Sequence, residues 1–260
     1  MRGKFSIFLM VGFMVSLCSL TTLAQVEEQK AKLFSVDDYA VKPSMVDEFF
    51  TLMKEMIPIC AKHKFPYHWY TYGTPDYHCL IVWPVENYAD IDKMYKAFDE
   101  LWEKAGKEQL QDLTNRFATT YEYFHSSMFY MIPELCYTPE SPRLKPGEGN
   151  FISFDICYVQ PGKGKELEEI NKEWVVLSRE KNVPTGFNLF EGDIGTDMPV
   201  VVFSEKGKDA ADFFSQNAKN LELWGEKGRE LWKKTEAICR KIETKTAWFL
   251  PDLSYIPEEK

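Results

Sequence analysis

Asn150–Gly162 reads NFISFDICYVQPG, and Lys32–Ser44, KLFSVDDYAVKPS, has already carried the same message 118 residues earlier. At that offset Ser35 lies over Ser153, Asp37 over Asp155, Val41 over Val159 and Pro43 over Pro161. The offset returns at the far end, where PELCYTPE (Pro133–Glu140) lies over PDLSYIPE (Pro251–Glu258). The chain is a tandem duplication, so one copy's elements can be checked against the other's.

Each copy opens with a strand, over Lys32–Val41 and Asn150–Gln160. Ile152, Phe154, Ile156 and Tyr158 form one apolar face, and Phe151, Ser153, Asp155 and Cys157 a mixed one, the period-2 pattern of a strand. A Pro follows, then a helix, for which Ser44-x-x-Asp47 reads as a capping box. Its apolar stripe is Phe49, Leu52, Met56 and Ile59, matched by Leu167, Ile170, Trp174 and Leu177 at the same spacing. Two hairpin strands come next, bent at Thr74-Pro75 in one copy and at a longer Asp193-Ile194-Gly195 in the other. A second helix spans Asn87–Ala105 and Lys208–Gly225. A third is expected to carry Leu110, Leu113, Phe117, Tyr121 and Phe124, with a partner over Arg229–Ile242. The last strands are expected at Ser127–Ile132 and Lys245–Leu250.

The order β-α-β-β-α-(α)-β, twice, is the split-βαβ or ferredoxin-like pattern. Such a unit covers one face of its sheet with helices and leaves the other bare, and a second copy can cover it. In element order and duplication, residues 32–258 resemble the dimeric α+β-barrel superfamily, with its antibiotic-biosynthesis-monooxygenase-like, stress-responsive and NIPSNAP-like domains. The resemblance implies an α+β fold in which two ferredoxin-like repeats pack sheet to sheet as one intramolecular barrel. It also implies a monomer, since the fusion supplies the partner that single-copy members obtain by dimerising. Its members include cofactor-free oxygenases, small isomerases and haem-binding proteins.

The chain starts with Arg2 and Lys4, an apolar run from Phe5 to Leu20, and Ala24 before Gln25, which is the pattern of a secretory signal peptide. A lipoprotein reading of Cys18 is disfavoured by the bulky Leu17 before it. The division is therefore a signal peptide over residues 1–24, repeat one over 25–140, a Pro- and Gly-rich linker over 141–149, and repeat two over 150–260. Cleavage would leave 260 − 24 = 236 residues with charge −9 − 2 = −11. The expected place is the bacterial periplasm or the exterior. So acidic a chain repels nucleic-acid backbones and anionic membrane surfaces, and no later run is long enough to span a bilayer. Cys60, Cys79, Cys136, Cys157 and Cys239 never recur at matching positions, so they read as small buried hydrophobes rather than a duplicated disulfide framework.

No catalytic or cofactor motif of high specificity is present. Ile152, Phe154 and Ile156 suit a helix-covered face, which would turn Ser35, Asp37, Ser153 and Asp155 into the barrel. Two inward carboxylates imply either a polar cavity with an acid or base, or hydrogen bonds that fix how the copies dock. On the second strand Trp69 and Phe187 suit the helix side, leaving His68, Tyr70 and Asn188 for the barrel. The expected active wall is Asp37, His68 and Tyr70, with Ser35, Ser153, Asp155 and Asn188 opposite, His68 being the group able to exchange protons near neutral pH. His63, His78 and His125 show no metal-ligand spacing, and no metal or cofactor is called. Haem stays open because any of the four histidines could be an axial ligand. Trp83, Trp102, Trp174, Trp224, Trp232 and Trp248 are expected on core stripes. Two functional readings remain, a small apolar or aromatic ligand in the barrel or between sheet and helices, or a non-enzymatic module that binds through its exterior. A closed, polar-lined cavity of a few hundred Å³ favours the first, and a solid core the second.

Overall fold

The structure, a computed structural model, describes residues 32–257, so the signal-peptide pattern lies outside the described residues. Copy one contributes β1 (Lys32–Val41), α1 (Val46–Lys62), β2 (Tyr70–Gly73), β3 (His78–Val85), α2 (Tyr88–Ala105), α3 (Lys107–Ala118) and β4 (Tyr121–Met131). Copy two contributes β5 (Phe151–Val159), α4 (Gly164–Glu180), β6 (Phe187–Gly192), β7 (Val200–Gly207), α5 (Ala210–Ile238) and β8 (Cys239–Phe249). The strands close into a barrel in the order β1-β3-β2-β8-β5-β7-β6-β4. Two seams join the copies. Tyr72 stands opposite Phe249 where β2 meets β8, and Met131 opposite Phe190 where β4 meets β6. Because all neighbouring pairs are antiparallel, β1 and β5 run in the same direction, and each mouth of the barrel is built from equivalent ends of the two copies.

The helices lie outside the barrel over two separate apolar cores. Phe49, Leu52, Phe65, Trp69 and Leu110 anchor the first, and Val159, Leu167, Val183, Phe187 and Leu231 the second. Trp69 and Phe187 thus take the helix side, as the alternation of their strands requires. Of the tryptophans, Trp83 and Trp224 are buried, Trp102 and Trp174 partly so, and Trp232 and Trp248 are exposed. Gly106 (φ 99°) separates α2 from α3, and Gly225 (φ 60°) breaks α5 in the other copy. Among the described residues no helix is long and apolar enough to cross a membrane.

The repeated words PELCY and PDLSY exchange sides. Tyr137, at the end of copy one, packs on Phe187 and donates its hydroxyl to the Val183 carbonyl of copy two at 2.9 Å. Tyr255, at the end of copy two, donates to the Phe65 carbonyl of copy one at 3.1 Å. Trp69 Nε1 and Thr71 Oγ1 both donate to the Leu253 carbonyl, at 2.8 and 2.7 Å. Each copy's tail therefore closes the other copy's helix layer, so the duplication folds as one body.

Two local expectations are corrected. Tyr121 and Phe124 belong to β4, not α3: Tyr121 pairs with Val41 and Phe124 with Tyr39, whose ring it stacks on at 5.0 Å. β8 likewise starts at Cys239 rather than Lys245. The backbone of β1 and β5 needs a partner along its full length, and that ladder outweighs an aromatic spacing that also fits a helix. Ser44 does not cap α1. It sits in a single 3-10 turn, Pro43–Met45, in which Met45 N–H bonds the Lys42 carbonyl at 2.8 Å, and no side chain caps the helix.

Candidate functional site

Strand alternation decides which side chains reach the barrel interior, and residues paired across strands share a face. On β1 the interior set is Phe34, Val36 and Asp38, and on β5 it is Ile152, Phe154 and Ile156. With Leu80, Val82, Phe129, Phe190, Val202 and Phe249 they wall a cavity of about 880 Å³. The apolar face of the first strands is thus the barrel lining, and their mixed face meets the helices.

The placement of Ser35, Asp37, Ser153 and Asp155 inside the barrel is therefore corrected. Asp37 accepts from Trp83 Nε1 at 3.0 Å and from the Ser126 hydroxyl. Asp155 accepts from the Thr244 hydroxyl at 2.6 Å. Ser126 and Thr244 are equivalent positions on β4 and β8, each opposite its aspartate. The duplicated carboxylate ties the first strand of each copy to the last strand of the same copy, rather than one copy to the other. Burial raises the pKa of both aspartates, and the hydroxyl bonds partly offset it. Asp37→Ala leaves Trp83 Nε1 and Ser126 without an acceptor and is expected to cost about 1–3 kcal/mol. Melting of the variant checks this, and an unchanged melting temperature with altered ligand binding would contradict it.

Ser35 and Ser153 are buried on the same helix-facing side. Tyr70 and Asn188 do line the cavity. His68 precedes β2, packs edge-on against Tyr70 with ring centroids 5.5 Å apart, and is not part of the cavity wall. Burial lowers its pKa.

The imidazole that lines the cavity is His78. Its Nδ1 lies 2.6 Å from Asp38 Oδ1, and both residues belong to the cavity wall. Nδ1 is engaged, so Nε2 is the nitrogen left for a bound molecule, and the carboxylate can balance charge that forms on the ring. Thr74, Tyr72 and, from copy two, Asn188, Ser204, Lys206 and Lys245 complete the polar part. The Tyr72 phenol is pushed up to about 12, first by burial and then by Tyr70. The linker forms one side of the wall through Pro142–Gly149, and Arg143 holds it by a double contact to Asp212 at 2.9 and 2.7 Å. Asp38 and His78 escape the sequence reading because their partners in copy two are Ile156 and Val200, as the strand pairings show. Weight placed on residues that recur leads away from the pair. The signal available was the doublet Asp37-Asp38, one of whose members must face inward.

No family model matches the chain, and no curated protein sequence matches it. Solved structures do. An anthrone oxidase-like protein superposes with a TM-score of 0.59 at 14% identity, over 86% of this chain and 93% of its own. A presumed monooxygenase of Fusobacterium nucleatum gives 0.54 at 14%, over 85% and 94%. Another, from Lactobacillus acidophilus, gives 0.52 at 10%, over 87% and 96%. These superpositions show a shared fold, which in this chain is an α+β barrel with both ferredoxin-like halves on one polypeptide.

Proposed function

Starting from a dimeric α+β barrel closed within one chain, we propose that this protein binds a small, largely apolar or aromatic molecule in the barrel and removes a proton from it. The observation that carries the reading is an apolar cavity of about 880 Å³ with one carboxylate–imidazole pair in its wall. His78 Nε2 takes a proton from a phenol or an acidic carbon, and Asp38 holds the ring by Nδ1 and stabilises the imidazolium. The carbanion or phenolate is confined among apolar walls, which suits a cofactor-free oxygenase or an isomerase. Structural neighbours named for oxidase and monooxygenase activity agree with small-molecule chemistry in this fold. The reading includes export, supported by the pattern of residues 1–24, and a monomer, supported by closure of the barrel within one chain.

Anthrone, a tricyclic with one acidic CH2 group, is a suitable probe. Solvent deuterium should enter that group about 10²–10⁴ faster with the protein than without it, and His78→Ala or Asp38→Asn should abolish the gain while the probe still binds. Acceleration that survives His78→Ala would remove the base. Failure of any apolar ring compound to bind would remove the site.

A second reading is favoured by the same pair. His78, its Nδ1 held by the Asp38 carboxylate, would offer Nε2 to a haem iron, and haem bound there would supply redox chemistry. A Soret band that forms on titration with haem and is lost in His78→Ala would select it.

A further inference from the structure

The two copies bring different chemistry to the same cavity. Copy one supplies Asp38 and His78, and copy two supplies Lys206 and Lys245. Lys206 stands opposite Ile152 and Lys245 opposite Phe154, so the two stems flank β5 on its interior face. At the equivalent positions copy one has Pro84 and Ser127, opposite Phe34 and Val36. Neither ammonium is therefore a relic of the duplicated frame.

Both stand out in a chain of net charge −9, in which acidic groups outnumber basic ones by 40 to 31. Many of its lysines sit against carboxylates: Lys104, Lys107, Lys163, Lys172 and Lys234 all form ion pairs within about 3 Å. Lys206 and Lys245 form none among the described residues. The other charges around the cavity do not neutralise them. The Asp38 carboxylate is taken by His78, and Arg143 is taken by Asp212. Lys145, on the linker, adds a third cation to the wall. Asp76 and Glu243 both feel the Lys245 charge, but Asp76 spends its carboxylate on the Thr74 hydroxyl and Glu243 is engaged by Lys241 and the Tyr158 hydroxyl.

Lys206 is also held in place. A Cβ added at Gly149 would lie 3.1 Å from both Cβ and Cδ of Lys206, so the linker rests on its stem. Its apolar surroundings lower its pKa, although Lys206 and Lys245 are both exposed residues. An ammonium at the edge of an apolar cavity with no ion-pair partner is available to an anion brought in by the ligand, and the apolar walls weaken the screening of that contact.

We propose that the molecule held in the barrel is an amphipathic anion, an aromatic or other apolar body bearing a carboxylate, with the carboxylate set against Lys206 and Lys245. The inference rests on the barrel cavity as the binding site and names the class of molecule it takes. It also orients that molecule: the charged end engages the β7–β5–β8 wall of copy two, and the body lies among the phenylalanines within reach of His78.

The test uses the full chain, with 2-naphthoate and its uncharged amide as matched probes, titrated by calorimetry. The acid should bind about tenfold more tightly than the amide, and the margin should shrink in about 0.5 M salt. In a Lys206→Gln/Lys245→Gln chain the margin should fall to about twofold or less while the amide keeps its wild-type affinity, which also shows that the variant is folded. Should the double variant lose the amide too, Lys245→Gln alone decides, and its margin must drop at least about threefold. Equal binding of acid and amide by the wild type, or a margin that survives these substitutions, overturns the anion proposal and leaves the barrel as the site. If neither compound binds, the barrel reading and the proposal fall together.

Discussion

Gly195→Ala is expected to cost about 3 kcal/mol or more. Gly195 closes the Asp193-Ile194-Gly195 turn, which is longer than its Thr74-Pro75 counterpart and does more than reverse the chain. Its neighbours extend the β4–β6 seam: Met128 N–H bonds the Ile194 carbonyl and Asp193 N–H the Met128 carbonyl, both at 2.8 Å. The Ser127 hydroxyl donates to the Gly195 carbonyl at 3.0 Å. Gly195 has φ +83°, where a side chain costs about 1 kcal/mol, and a Cβ there would lie 2.2 Å from the Ser126 carbonyl oxygen. That neighbour is backbone in a paired strand and cannot turn aside, so the seam itself must open. Gly147→Ala is the control. It has nearly the same φ, +84°, but nothing within 4 Å, and should cost only about 1 kcal/mol. Denaturant unfolding of the two variants checks the contrast, and equal losses would show that the seam is not held at this turn.

The second large effect is in pH. Where copy one places Trp83 opposite Ser35, copy two places Glu205 opposite Ser153, so an indole that donates to Asp37 is replaced by a second acid near Asp155. Burial, then the Asp155 charge, raises the Glu205 carboxyl from 4.5 to about 7, and the Arg143 charge opposes the rise without cancelling it. An acid whose folded pKa is raised favours the fold in its protonated form. Its contribution is complete below about pH 4.5, declines as pH rises, and is gone above about pH 7. At 1.4 kcal/mol per unit the loss is at most about 3 kcal/mol, or on the order of 5–10 °C in melting temperature for a chain this size. Asp155, raised in the same direction, adds to it. Asp212 acts the other way. Its contact with Arg143 depresses its carboxyl to about 2, so its contribution is present above about pH 4 and lost as pH falls toward 2. Stability should therefore peak between about pH 4 and 5, and Glu205→Gln should flatten the alkaline side while leaving the acid limb intact. A wild-type melting temperature that does not fall between pH 5 and pH 8 would refute this account.

The duplication, the order of elements and the apolar helix stripes were legible in the residues, because each is local or repeats at a fixed offset. Phe49 and Leu52 in one copy and Leu167 and Ile170 in the other are buried as their spacing implies. The alternation of β5 was equally visible, but its orientation was not. A strand with one mixed and one apolar face says which residues lie together, and it does not say whether the apolar set meets helices or lines a barrel. Here Ile152, Phe154 and Ile156 line the barrel, and Ser153 and Asp155 go under the helices.

By itself, then, the sequence determined a twice-repeated ferredoxin-like unit whose bare sheet faces could be covered by one another, since period and order are properties of a single stretch of chain. Tertiary structure decided which face became the cavity, that the linker flanks it, and that the tail of each copy caps the other. It also decided that His78 meets Asp38 across 2.6 Å. Those facts depend on register between strands far apart in the chain. A shift of one residue there exchanges the two faces of a strand, with no trace in its own composition.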